Sequence, residues 1–136
     1  MIRWNGNTSI RWIRPLPASI SKVHVNLIDT PGFPDFLGRS ISILPAVETA
    51  AVVVNAQSGI EPVTQRMMKA VDARNLCRII IVNQIDAEGV DLEDLTNQIR
   101  EAFGSECLPI NLPADGGKRV IDCFFRPDGE GADFSS

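Results

Sequence analysis

Apolar and polar residues follow one another in blocks that favour strands and helices in turn. Three short blocks are predominantly apolar and rich in valine and isoleucine, as is typical of strands buried in a parallel sheet: residues 23–28, 50–55 and 78–83. Apolar residues recur at helical spacing in three other segments, which predicts helices at 36–48, 62–75 and 91–103. This alternation predicts an α/β fold whose parallel sheet carries helices on both faces.

The two ends of the chain depart from this alternation. Near the carboxyl end, short strands are predicted at about 106–110 and 119–125, and the tail 126–136, rich in Pro, Asp, Gly and Ser, is expected to be frayed. Near the amino end, Asn5-Gly6 predicts a hairpin over residues 2–13. Two prolines that follow at positions 15 and 17 are expected to end its second strand.

Polar residues come directly after two of the predicted strands. Asp29-Thr30-Pro31-Gly32 follows the first strand, and Asn83-Gln84-Ile85-Asp86 follows the third. Ligands bind at the carboxyl ends of strands in open α/β sheets. There, an aspartate such as Asp29 can hold a metal-bound water, and Gly32 lets a backbone N–H approach an anion. The Asp86 carboxylate can accept two parallel hydrogen bonds from guanine but not from adenine, while Asn83 braces the loop. Taken singly, each motif is also an ordinary turn.

Taken together, these motifs and the segments between them resemble the translational GTPases. The order and spacing of residues 26–36, 50–62 and 78–86 are similar to elongation factor G, particularly its divergent relatives. The resemblance covers roughly residues 22–135 and implies an incomplete three-layer phosphate-loop GTPase fold. It divides the chain into a non-matching segment at 1–21, a partial GTPase domain at 22–104 and the start of the family's insert at 105–136.

The resemblance also implies ligands, an activity and a partner for the intact factor. It implies GTP or GDP with Mg²⁺, GTP hydrolysis, and action on the ribosome in translocation or a related step of protein biosynthesis. Asp29 would hold magnesium through a water, Gly32 would sense the γ-phosphate, and Asp86 would read guanine. The nucleotide-binding residues that it implies are Asp29, Thr30, Pro31, Gly32, Asn83, Gln84 and Asp86.

Several parts of the family pattern are missing or altered in this sequence. The string G-x-x-x-x-G-K-[ST], whose amides and lysine hold the phosphates, does not occur. The strand before it and the helix after it are expected to be absent as well. Phe33 stands where the family usually has the histidine that positions the attacking water, and Gln84 replaces the usual lysine. We therefore expect this chain alone neither to bind GTP measurably nor to hydrolyse it, and we assign no catalytic residue.

The missing first strand has a structural consequence. In the GTPase fold it lies between the strands at 23–28 and 50–55, so its absence would leave two unpaired edges. Three outcomes are open: the two strands pair directly, residues 1–20 fill the slot, or a second copy donates a strand. We expect a filled slot or a homodimer.

Composition fits one globular domain and narrows the classes of partner. The chain has 136 residues, 44% hydrophobic and 22% charged, with a net charge of −4. Lysine and arginine are scattered, so no direct nucleic-acid site is evident. No apolar run reaches the roughly 18 residues that a membrane span needs. Cys77, Cys107 and Cys123 form no Cys-x-x-Cys pair, which disfavours zinc and predicts reduced core or near-core residues of a cytoplasmic protein.

Two other classes of function compete with the GTPase interpretation. An interaction module would bind itself or a partner through exposed sheet edges, and solvent-exposed, clustered Trp4 and Trp12 would favour it. A nicotinamide-binding enzyme is disfavoured because no G-x-G-x-x-G string occurs.

Overall fold

The computed structural model describes residues 15–20, 23–123 and 132–133. The hairpin predicted over residues 2–13, with Trp4 and Trp12, lies outside the described residues. Short 3₁₀ turns at Pro34–Phe36 and Leu44–Ala46 flank the first α-helix. The strands and α-helices are, in chain order, β1 Pro15–Ile20, β2 Val23–Ile28, α1 Leu37–Ile43, β3 Thr49–Asn55, α2 Pro62–Asp72, β4 Cys77–Asn83, α3 Leu92–Phe103, β5 Asn111–Ala114 and β6 Arg119–Asp122.

Strands β3 and β4 form a parallel pair with helices on one face. Val52 lies beside Ile80 and Val54 beside Val82, so these side chains share a face. That face is covered by α2, which contacts β3, and by Leu95 and Ile99 of α3, which pack with Ile80 and Val82. The α/β class and the parallel pairing are thereby confirmed.

The opposite face of this pair is open in the part of the chain that the structure describes. Val53, Ile79 and Ile81 are 59%, 47% and 46% exposed, although each is a large apolar residue. The prediction of helices on both faces is therefore wrong for the described residues, which form two layers here and not three. Continuous apolar strands are typical of sheets buried on both faces, and that composition suggested a cover for this face.

Hydrogen bonding divides the six described strands into three two-stranded sheets. Besides the parallel pair β3–β4, β1 pairs with β2 and β5 pairs with β6, both antiparallel. Strands β2 and β3 do not pair with each other, which excludes the first of the three outcomes considered for the gap between them. The single parallel sheet of the sequence prediction is thus represented by one parallel pair.

Strand β1 begins at a proline where the sequence analysis expected a strand to end. Pro15 lies opposite Ile28 and Pro17 opposite Asn26 in the antiparallel register. Residues two apart in a strand direct their backbone N–H positions to the same side. Both prolines can therefore occupy an edge strand with their missing donors turned away from β2.

The helices begin close to their predicted positions, but α1 and α2 end about five and three residues before their predicted ends. Helix α1 ends at Ile43 before the turn that contains Pro45. Helix α2 begins with Pro62 in its first turn and ends at Asp72, shortly before Asn75 adopts a left-handed φ of 51°. Asp91 caps α3 as predicted, because its Oδ1 accepts the Asp94 N–H at 2.9 Å.

The strand predicted at 106–110 is wrong, since the pairing segment is Asn111–Ala114. After α3 the chain first makes a turn in which the Cys107 N–H donates to the Gly104 carbonyl at 3.1 Å. This turn delays the extended segment, and Leu108 and Ile110 are left 72% and 58% exposed. Strand β6 begins at Arg119 as predicted and ends at Asp122.

Arg78 joins three parts of the chain at the amino end of β4. Its guanidinium contacts Asp72 at the end of α2, Nη1 to Oδ1 at 3.0 Å, and Glu106 after α3, Nη2 to Oε1 at 3.4 Å.

The cysteines differ in burial. Cys77 is exposed, so the expectation of a core or near-core position is wrong for it. Cys107 does pack against the buried cluster of Ala56, Leu95 and Ile99. Among the described helices, none has the length and apolar character to cross a membrane.

Candidate functional site

The 83–86 loop, Asn83–Asp86, leaves the carboxyl end of β4 beside the end of β3. Asn83 lies opposite Asn55 in the parallel register. The Asn83 backbone carbonyl accepts the Ala56 N–H at 2.9 Å, and its side-chain Oδ1 accepts the Gln84 N–H at 3.0 Å. These bonds fix the first residue of the loop to the neighbouring strand and to its own next residue.

Gln84 joins the ends of the two parallel strands through its side chain. Its Oε1 accepts a hydrogen bond from Asn55 Nδ2 at 2.8 Å. Asn55 in turn accepts the Gln57 N–H on its Oδ1 at 2.8 Å. A lysine at position 84 has no acceptor and could not make this bond. Gln84 also has a φ of 60°, a left-handed backbone that turns the chain sharply after the strand.

The second half of the loop is anchored by core packing and by a backbone hydrogen bond. Ile85 packs against the buried Ala56, Leu95 and Ile99. The Ala87 N–H closes the turn by donating to the Gln84 carbonyl at 3.2 Å. Asp86 itself is exposed. The loop therefore presents a carboxylate to solvent from a backbone that is held on both sides.

The 29–32 turn, Asp29–Gly32, is less supported. Its Pro31 carbonyl accepts a hydrogen bond from Ser40 Oγ at 2.9 Å, and Ser40 is only 2% exposed, so α1 holds the middle of the turn. Asp29 and Gly32 are exposed, and Phe33 is 68% exposed. Apart from the anchor at Pro31, this turn lies at the surface.

An open, largely apolar cleft lies between this turn and the start of α2. Its volume is about 640 Å³. The lining residues come from 32–37 on one side and 61–66 on the other: Gly32, Phe33, Pro34, Leu37, Glu61, Pro62, Val63 and Arg66. Phe33 thus faces a cleft whose polar groups are one acid and one arginine.

The described residues do not form a self-sufficient metal site. No group of three or more His, Cys, Asp or Glu side chains suited to an ion occurs among them. Mg²⁺ keeps several waters and is held by one or two carboxylates together with substrate phosphates. The exposed Asp29 carboxylate and the neighbouring Thr30 hydroxyl fit that donor chemistry only when a nucleotide supplies the remaining oxygens.

The structure brings some predicted site residues together and adds others. Asn83 and Gln84 meet Asn55 at the edge where β3 and β4 end, whereas the 29–32 turn is bonded to α1 and lies across an open cleft from the start of α2. Asn55 and Ser40 are not among the site residues predicted from the sequence. Asn55 had a usable signal, since it ends a strand just as Asn83 does; Ser40 had none, because a serine within a helix is ordinarily exposed.

Comparisons with known proteins identify the family of this chain. The family described as the elongation factor Tu GTP binding domain matches residues 7–125, a range that begins inside the segment 1–21. Peptide chain release factor 3 from Nitrosomonas europaea and from Nitrosomonas eutropha are each 37% identical to this chain over 95 residues. The aligned part covers 70% of this chain but only 18% of either release factor.

The family match shows which family the chain belongs to, and the two relatives leave the particular factor open. The assignment to elongation factor G is not confirmed, since both relatives are release factors. The chain spans less than a fifth of their length. The family match, by contrast, covers most of the chain and includes both polar motifs. This chain belongs to the elongation factor Tu GTP-binding domain family, the translational GTPases.

Proposed function

We propose that this chain is the guanine-recognising part of a cytoplasmic translational GTPase of the release factor 3 and elongation factor G type. The intact factor would use GTP on the ribosome during protein biosynthesis, in chain release or translocation. The observation that carries the proposal is the 83–86 loop. It is fixed at the end of a parallel strand by Asn83 and Gln84, and it presents the exposed Asp86 carboxylate.

The 83–86 loop and the 29–32 turn are the two corners of the proposed nucleotide site, and their roles follow from their chemistry. Asp86 accepts hydrogen bonds from the pairing edge of guanine, while Asn83 spends its side-chain oxygen on the loop backbone and so braces it. On the phosphate side, Asp29 would hold magnesium through a bound water. The Gly32 N–H approaches the γ-phosphate without obstruction, because no atom lies within 4 Å of the position that a Cβ would take.

By itself, this sequence has too few phosphate contacts to bind GTP tightly. An exposed hydrogen bond contributes about 0.5–1.5 kcal/mol net, whereas association costs about 4–15 kcal/mol. Phe33 can neither donate nor accept the hydrogen bond that a histidine would offer to water, and loss of such a group costs about 10²–10⁴ in rate. The chain alone is therefore expected to be inactive in GTP hydrolysis.

Two titrations test the expected lack of GTP binding and the proposed guanine recognition separately. Calorimetry of the purified chain with GTP and Mg²⁺ is expected to detect no binding, and a micromolar dissociation constant would contradict the inactivity proposal. In parallel, NMR titration with millimolar GDP is expected to shift the Asp86 amide more than ADP does. Asp86→Asn, which replaces one carboxylate oxygen with a donor, is the matched control and should remove that preference. Equal shifts with GDP and ADP would contradict guanine recognition.

A second candidate function is self-association through the open face of β3–β4. The observation that favours it is the row of exposed apolar side chains at Val53, Ile79 and Ile81. Sedimentation over a range of concentrations would reveal a dimer. Val53→Glu is expected to shift such a dimer toward monomer, while Leu108→Glu, at an exposed apolar position elsewhere, should not. A monomer at every concentration would rule this candidate out.

A further inference from the structure

The turn between β5 and β6 packs directly on the backbone of the 83–86 loop. Gly117 in this turn is buried and has a left-handed φ of 77°. A Cβ on Gly117 would collide with the carbonyl oxygen of Ile85 and would lie 2.9 Å from its carbonyl carbon and 3.3 Å from the Asp86 nitrogen. Side chains are not normally accommodated that close to backbone, so the two backbones touch because residue 117 is glycine.

The turn is itself held in place by the end of the described chain. Asp133 Oδ2 accepts the Gly116 N–H at 3.0 Å and the Gly117 N–H at 3.4 Å. The Asp133 N–H donates to the Pro113 carbonyl on β5 at 2.8 Å. The expectation of a frayed tail is therefore wrong at Asp133, which clamps the turn against the loop.

The loop thus has two supports. Ile85 packs against the buried cluster of Ala56, Leu95 and Ile99. Gly117 also touches Ile85, at the backbone carbonyl. Because the contact falls on the Ile85 carbonyl and the Asp86 nitrogen, any shift of the turn moves the peptide that carries Asp86.

We propose that Gly117 is a positioning residue for guanine recognition, with Asp133 as its clamp. Gly117 determines how closely the Ile85–Asp86 peptide can approach the β5–β6 turn, and thereby the direction of the Asp86 carboxylate. This assignment to guanine rests on the proposed function, but the contact itself does not.

Gly116 provides a matched control. Its φ of 65° is also left-handed, and its N–H donates to the same Asp133 oxygen. Nothing lies within 4 Å of the position that its Cβ would take. Gly116→Ala and Gly117→Ala therefore share the backbone strain and differ in the collision with the loop.

The test is an NMR comparison of the two variants, with thermal unfolding as a check that each is folded. In Gly117→Ala we expect shifts of the Ile85 and Asp86 amide resonances and loss of exchange protection at Ala87, whose N–H closes the loop onto Gln84. In Gly116→Ala the changes should stay within the turn. Equal effects of both variants, or unmoved loop amides in folded Gly117→Ala, would overturn the proposal.

A second pair of variants decides the matter if Gly117→Ala does not fold. Asp133→Ala removes the acceptor of the turn and is expected to shift Ile85 and Asp86, whereas Asp133→Asn keeps one oxygen and should restore their wild-type resonances. Asp133→Ala without effect on the loop would contradict the clamp.

The GDP and ADP titration of the wild type tests guanine recognition separately from the positioning of the loop. A loop that responds to Gly117→Ala in a chain without guanine preference supports positioning of the loop and contradicts guanine recognition.

Discussion

The 83–86 loop and the 29–32 turn carry the two nucleotide motifs, and they differ in how much of the protein holds them. The 83–86 loop is bonded to Asn55 at the end of β3 and to Ala56, which follows that strand, and it packs on the core through Ile85. The 29–32 turn is anchored at Pro31 by a single serine of α1. The 83–86 loop is therefore held by strand and core contacts, whereas the 29–32 turn is held by one side-chain hydrogen bond at the surface.

This difference indicates where each half of a GTP site obtains its order. A base-reading carboxylate gains from a backbone that is already fixed, since less freedom is lost on binding. A turn that senses a phosphate can instead take its order from the ligand, as switch segments do. The four predictions that follow test this contrast, from the largest expected effect to the smallest.

Leu95→Ala should have the largest effect, because Leu95 is 5% exposed and lies beneath the 83–86 loop. Truncating a buried leucine costs about 2–5 kcal/mol of unfolding free energy. Denaturant unfolding measures that loss. Leu108→Ala is the control, since Leu108 is 72% exposed and should change stability by less than about 0.5 kcal/mol. Similar losses for both leucines would contradict the core described for this corner.

Ser40→Ala should loosen the 29–32 turn at a smaller cost to the whole protein. It removes the bond to the Pro31 carbonyl and is expected to lower the unfolding free energy by about 1–2 kcal/mol. NMR should place the main shifts at residues 29–32. Ser42→Ala is the matched control, because the exposed Ser42 bonds only locally to the Arg39 carbonyl. If Ser40→Ala shifted the 83–86 loop as strongly, the two corners would not be independent.

Gln84→Ala tests the side-chain bond that joins the ends of β3 and β4. Since the bond to Asn55 is exposed, its loss should cost about 0.5 kcal/mol, at the lower end for a hydrogen bond. Faster amide exchange at Gln57 would show that the freed Asn55 also loosens its other contact. Gln57→Ala, in which the backbone N–H survives, should have no comparable effect. An unchanged Gln57 amide in Gln84→Ala would mean that the bond does not order this edge.

Phe33→Ala should have the smallest effect on stability. Phe33 is 68% exposed, so its removal is expected to change the unfolding free energy by no more than about 0.5 kcal/mol. Denaturant unfolding again provides the measurement. A loss above about 1 kcal/mol would show that the cleft beside α2 closes on the ring, and that this corner is less superficial than described.

Local sequence signals predicted most of the elements but not how the strands assemble. The apolar run Val23–Ile28 forms β2 at its predicted bounds, and Asp91 caps α3, because both depend on nearby residues. Strand pairing depends on distant ones, so neither the separate two-stranded sheets nor the open face at Val53 was predictable. The two prolines of β1 predicted a strand end that does not occur, since proline interrupts a strand in the middle of a sheet but is tolerated in an edge strand.

The candidate site shows the same limit. Motif spacing identified Asn83 and Asp86, whose roles remain predictions, and the family match supports the motifs as a set. The bond from Asn55 to Gln84 and the packing of Gly117 on Ile85 join residues that are 29 and 32 positions apart. No periodicity or turn rule connects positions at such separations. These contacts became visible only once the strands and the turn had been placed in space.

The position of Arg78 has a consequence for ionic strength. Its contacts with Asp72 and Glu106 fasten α2 and the segment after α3 to the amino end of β4, a full strand away from Asn83. Added salt screens charges that face solvent much more than it affects buried packing. Raising the salt concentration should therefore weaken the contacts of Arg78 with Asp72 and Glu106 at the amino end of β4, and it should leave the 83–86 loop at the carboxyl end in place.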